Sequence, residues 1–139
     1  MKTLGVVLAG GTSRRFGSDK AEAMFEGRSL LDHTIATLRP HCDTVEIVGR
    51  GVGGAPAIED WPEPGQGPLG GLAGALAYAS EHGFAQVLSV PVDCIFLPLD
   101  IRDALEPAPS YLESQPVIGL WPVASRACLE QMLTEHDRR

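Results

Sequence analysis

Apolar positions along this chain follow two rhythms, and the rhythms predict its elements. Leu4-Gly5-Val6-Val7-Leu8 is a short apolar run ending at Ala9-Gly10-Gly11, the pattern of a buried strand running into a loop. Ser29 predicts a helix start, with Asp32 three residues on as a capping-box acid. Leu30, Leu31, Thr34, Ile35 and Leu38 then line one face, and Pro40 stops the helix. Thr44 to Val48 reads as a second strand, and Ala57-Ile58-Glu59-Asp60 as a short third between Pro56 and Pro62. Pro68 suits the first turn of a long helix carrying Leu69, Leu72, Ala73, Leu76 and Ala77 at helical spacing, with Gly83 as its stop. Gln86 to Val90 is another buried strand, and Pro98 opens a short helix ending near Leu105. Val117 to Trp121 is the last strand, and Ala124 to Glu135 the last helix.

Strands alternating with helices imply parallel βαβ units, so the expected fold is α/β, a three-layer α/β/α Rossmann-like sheet that is mostly parallel. In such sheets ligands bind outside the carboxyl ends of the strands. The loops after Leu8 and Val90 both follow strands and are therefore expected on one edge.

Composition narrows the function classes. A length of 139 residues suits a single domain, 1–139, with a sizeable core. Lys+Arg 11 against Asp+Glu 18 leaves a net charge of −7, which argues against nucleic acid or an anionic membrane as partner. No apolar run approaches the ~18 residues of a membrane span. Three widely spaced cysteines, Cys42, Cys94 and Cys128, read as reduced thiols, and the expected location is the cytoplasm.

Against this acidic background, residues 9–20 stand out as Ala-Gly-Gly-Thr-Ser-Arg-Arg-Phe-Gly-Ser-Asp-Lys. Paired glycines let backbone N–H groups approach an anion closely. Lys2, Arg14, Arg15 and Lys20 place four of eleven cations in the first twenty residues, an excess that favours phosphate. The loop is neither a Walker A motif nor a dinucleotide fingerprint, since Gly-Lys-Ser/Thr and G-x-G-x-x-G are both absent from it. Asp93, after Val90-Pro91-Val92, is a carboxylate at a strand's carboxyl end, where it could hold Mg²⁺ or cap a turn.

Several weaker patterns are set aside. Gly49-x-Gly51-x-x-Gly54 matches a dinucleotide fingerprint formally but is followed by Ala55-Pro56-Ala57 rather than a helix. His33, His41, His82 and His136 form no ligand pattern, and His82 before Gly83 suits a helix C-terminus. Cys94 lacks a histidine partner and reads as a small core filler, Trp61 and Trp121 as packing residues, and Asp100 as a first-turn acid of the following helix.

Leu8-Ala9-Gly10-Gly11-x-x-x-Arg15-x-Gly17-x-Asp19-Lys20 resembles the signature loop of GT-A-like nucleotidyltransferases, and in particular of the molybdenum cofactor guanylyltransferases (MobA-type). Ile58-Glu59-Asp60, Gly67-Pro68-Leu69-Gly70-Gly71, Pro91-Val92-Asp93 with Phe96-Leu97-Pro98, and Pro116-Val117-Ile118-Gly119-Leu120-Trp121 extend the likeness in order. The resemblance implies transfer of GMP from GTP to the phosphate of molybdopterin, with Mg²⁺ as cofactor. It implies nucleotide contacts by Leu8, Ala9, Gly10, Gly11 and Asp60, a metal ligand in Asp93, and charge neutralisation by Lys20 and Arg15. It also implies transient contact with molybdenum-cofactor proteins.

The chain departs from the family pattern with Gly49, Ile95 and Gln115 where an asparagine, a proline and a histidine are usual. Similar proteins continue past the position of Glu135, so an incomplete acceptor side and an exposed sheet edge or shallow pocket are expected. Two other readings stay open: a cytidylyl- or sugar-phosphate nucleotidyltransferase, and a non-catalytic nucleotide-binding remnant of the fold.

Overall fold

The structure is a computed structural model that describes residues 2–8, 24–25, 28–48, 58, 61, 67–92, 94, 97–106, 108–111 and 118–136. Strand β1 (Thr3–Leu8) forms from the first apolar run and lies between β4 (Thr44–Val48) and β5 (Gln86–Pro91), parallel to both. Its residues are buried on both sides because helices cover both faces, which is why the run is continuously apolar instead of alternating.

Two later strands change the sheet's character. β7 (Gly119–Pro122) pairs antiparallel with β5, and β6 (Ser110–Tyr111) pairs antiparallel with β7, giving the order β4-β1-β5-β7-β6. The sheet is thus mixed but mostly parallel, as expected: of its five strands β4, β1, β5 and β6 run one way and β7 runs the other. A separate two-stranded ribbon pairs β2 (Met24–Phe25) with β3 (Arg28–Ser29). The short strand expected at 57–60 survives among the described residues as a single bridge from Ile58 to Val48.

Helix α1 (Leu30–Leu38) starts where its cap predicts: the Ser29 hydroxyl accepts from the Asp32 N–H at 3.1 Å. It tightens into a 3₁₀ turn, Arg39–His41, around Pro40. Helix α2 (Gly67–Glu81) has Pro68 in its first turn and ends at Gly83, whose φ of +82° is open to glycine and strained for other residues. The Phe84 N–H then reaches back to the Ala79 carbonyl at 2.9 Å, the long closing bond of a glycine-terminated helix. His82 Nδ1–H donates to the Tyr78 carbonyl at 2.8 Å, as its place at a helix end suggests.

Helix α3 (Ile101–Leu105) begins later than Pro98, which closes a turn instead: the Ile101 N–H donates to the Pro98 carbonyl at 3.1 Å. Asp100 is consequently the residue before the helix, not part of its first turn. Helix α4 (Arg126–His136) follows a 3₁₀ turn, Val123–Ser125.

The core is split by the sheet. On one face Leu31, Leu38, Ile101 and Leu105 from α1 and α3 pack on Val7, Leu88, Val90 and Leu120. On the other, Leu72, Leu76 and Ala79 of α2 and Leu129 of α4 pack on Leu4, Val6 and Val87. Successive residues Val6 and Val7 enter opposite halves, as the twofold period of a strand requires. Gly5 is a position of close approach: a Cβ there would lie 2.6 Å from Cys42 Sγ. Burial pushes the Cys42 thiol up to about 12, and Cys94 is buried in the first cluster, a core filler as expected. None of the three cysteines forms a disulfide.

Candidate functional site

The three parallel strands end side by side. Leu8 pairs in register with Val48 on one neighbour and with Pro91 on the other. Strand order adds what sequence order could not. From β1 the chain goes first to β4 on one side, then to β5 on the other, so β1 and β5 flank the point where the winding reverses. Open α/β sheets leave their ligand crevice there, because the connections on either side diverge. The glycine-rich loop begins one residue after Leu8, and Asp93 comes two residues after Pro91.

Of the expected site residues, Leu8 is described: it is half-buried at the end of β1 and packs on the α2 side of the sheet. Ala9, Gly10, Gly11, Arg15, Lys20, Asp60 and Asp93 lie outside the described residues, as do residues 49–54 of the set-aside fingerprint. Described residues flank each candidate carboxylate, and they are held. Before Asp60, the Ile58 N–H donates to the Ile47 carbonyl at 2.8 Å; after it, the Trp61 N–H donates to the Gly70 carbonyl in α2 at 3.0 Å. Around Asp93, the Cys94 N–H closes back onto the Pro91 carbonyl at 3.2 Å. The carbonyl of Val92, next to Asp93, accepts from the buried Thr34 hydroxyl of α1 at 2.7 Å.

Sequence reasoning had placed Thr34 on the helix's apolar face without a task. The signal was available, a hydroxyl among leucines and isoleucine, but its partner is 58 residues away and only the fold supplies it.

An apolar cavity of about 410 Å³ opens on the α2/α4 face, walled by Leu8, Leu72, Trp121, Leu129 and Met132 among others. The Tyr111 and Trp121 rings stack along one side, 6.2 Å between centroids and 12° between planes. Trp121 Nε1–H donates to the Ser89 hydroxyl at 2.9 Å, so the indole's polar atom is partnered. Trp121 therefore packs, as expected, and also shapes this hollow. Among the described residues that line it there is no carboxylate, amine or imidazole side chain, and most are apolar. Among the described residues no three His, Cys, Asp or Glu converge as a metal cage, and no helix is long and apolar enough to cross a membrane.

Comparison with known proteins fits this geometry. The family model described as the MobA-like NTP transferase domain matches residues 5–139. A molybdenum cofactor guanylyltransferase of Acidiphilium cryptum is 37% identical over 139 residues, spanning 92% of this chain and 71% of that protein. The fold superposes on molybdopterin-guanine dinucleotide biosynthesis protein A from Archaeoglobus fulgidus with a TM-score of 0.71 at 21% identity, over 96% of this chain and 74% of the other. It also superposes on 4-diphosphocytidyl-2C-methyl-D-erythritol synthase with a TM-score of 0.62 at 13% identity, over 98% and 85%. At such identities the structural likeness is one of fold.

Proposed function

The chain belongs to the MobA-like NTP transferase family, and from that premise we propose that it transfers GMP from GTP to the phosphate of molybdopterin, forming the guanine dinucleotide cofactor. The observation that carries the reading is the side-by-side ending of β1 and β5 at the reversal of the winding. One strand leads into the glycine-rich, cationic loop and the other into the Asp93 turn.

The acceptor phosphate oxygen attacks the α-phosphorus of GTP in line. A new phosphorus–oxygen bond forms as the bond to the β-phosphate bridge breaks, and pyrophosphate carries away the electron pair. A phosphate monoester is already largely ionised at neutral pH, so no general base has to be found among the side chains. The chain's task is positioning and charge neutralisation. Leu8, Ala9 and Gly10 contact the nucleotide, and Gly11 cradles its phosphates through backbone N–H. Lys20 and Arg15 face the charge that builds at the α-phosphorus, and Asp60 contacts the nucleoside.

Asp93 would hold Mg²⁺. A carboxylate two residues past the end of β5 suits that ion, which takes one or two carboxylates and completes its shell with substrate oxygens and water. When bound, it withdraws charge from the phosphates.

Titration calorimetry with GTP, and separately CTP, in the presence of Mg²⁺ tests the nucleotide half, with GTP expected to bind more tightly. An assay of guanylyl transfer on the same sample tests the whole. Binding of no nucleoside triphosphate would refute the reading, and preference for CTP would move it to cytidylyl transfer.

A further inference from the structure

Four buried polar side chains occur among the described residues: Thr3, Thr34, Gln86 and Ser89. Three of them serve packing between neighbouring strands. Gln86 Nε2 donates to the Thr3 hydroxyl at 2.9 Å at the amino end of the sheet, and Ser89 receives the Trp121 N–H. Thr34 differs. It is fully buried in the middle of α1, where a valine would fill the same volume, and its hydroxyl leaves its own helix to reach the Val92 carbonyl at 2.7 Å. That carbonyl stands one residue beyond the end of β5.

The consequence follows from covalent geometry. A peptide unit is planar, so the plane that carries the Val92 carbonyl also carries the N and Cα of Asp93. Tying that oxygen to a helix restrains the peptide unit that leads into residue 93, leaving rotation about the following N–Cα bond to other contacts. The Cys94 N–H to Pro91 carbonyl bond closes the same turn from its other end. Two bonds of different origin, one from α1 to the Val92 carbonyl and one from Cys94 to Pro91, thus hold the described residues on either side of position 93.

We propose that Thr34 is a positioning residue for the metal-holding carboxylate: its hydroxyl, through the Val92 carbonyl, sets the aim of Asp93 toward the cation on the triphosphate. This rests on the reading of Asp93 as the metal ligand. The hydroxyl does not touch substrate or cation. It removes the freedom of the peptide unit to rotate, and metal affinity is sensitive to such support.

The test is Mn²⁺ binding in the presence of a non-hydrolysable GTP analogue, followed by electron paramagnetic resonance of the free ion. Wild type is compared with Thr34→Ser, Thr34→Cys, Thr34→Val and Asp93→Asn. Loss of the hydroxyl in Thr34→Val is expected to weaken Mn²⁺ binding by about 10-fold or more. Thr34→Ser should restore it and Thr34→Cys, with its weaker S–H donor, should fall between. Affinity for the analogue without metal should be the same throughout the Thr34 series. A lowered melting temperature would accompany a merely structural role as well, so the ordering by donor strength at constant metal-free affinity is the deciding readout. If Thr34→Val does not fold, Thr34→Cys against Thr34→Ser carries the comparison. Mn²⁺ binding equal across the folded Thr34 variants while Asp93→Asn abolishes it would overturn the positioning role alone. Unchanged Mn²⁺ binding in Asp93→Asn would refute the metal reading, and this role with it.

Discussion

The parallel and antiparallel halves of the sheet do different work. β4, β1 and β5 run the same way, so their carboxyl ends gather at one edge and the segments leaving them share that edge. β7 and β6 run antiparallel to their neighbours β5 and β7 respectively, and what they add is packing: Leu120 in the core, and Tyr111 with Trp121 beside an apolar hollow. The difference teaches where chemistry can be concentrated. Parallel pairing aligns strand ends, and antiparallel pairing separates them. A cationic loop and a carboxylate from distant parts of the sequence can therefore meet at the parallel edge.

The largest expected effect is on the parallel edge. Replacing Lys20 by Ala should lower guanylyl transfer by about 10²–10³-fold, as removing one charge-stabilising donor does elsewhere, with little change in melting temperature. A rate within the error of wild type would break the assignment of the edge.

The antiparallel half should answer in stability instead. Leu120→Ala, in fully buried surroundings, is expected to cost about 2–5 kcal/mol in urea unfolding while leaving GTP affinity unchanged. Loss of GTP affinity in the folded variant would show that the halves are coupled.

A smaller change is expected from Trp121→Phe. It removes one donor to Ser89 and should cost about 1 kcal/mol. Transfer activity measured beside it should be unaltered.

The smallest effect is one of pH. The Cys42 thiol rises from 9.0 to about 12 in the fold, with burial as the largest cause. Between those values the unfolded chain releases a proton that the folded chain keeps, so this group lowers stability as pH rises above 9.0 and is silent below it. In Cys42→Ala that part of the alkaline decline should vanish, as seen in melting curves recorded from pH 8 upward. A decline identical to wild type would refute the thiol's contribution.

Much of the fold was legible because its signals are local. Ser29 with Asp32, Pro40, Pro68 and Gly83 punctuate the chain through hydrogen bonds or backbone angles within a few residues, and the helices start or stop near them. β6 was missed because two residues, Ser110 and Tyr111, are too few to show a period. The direction of β7 was not legible because a buried strand has the same apolar pattern whichever way it runs. For the site, the loop and Asp93 stood out by residue type, whereas Thr34 did not. A threonine among leucines looks the same with or without a carbonyl waiting 58 residues away.

By itself, then, the sequence determined the elements, their caps and the order of the chemically distinctive motifs, since each depends on near neighbours. The tertiary structure alone decided strand order, the reversal between β1 and β5, and the partner of the Thr34 hydroxyl. These are pairings between distant segments, and their free energy comes from contacts that exist only once the sheet has assembled.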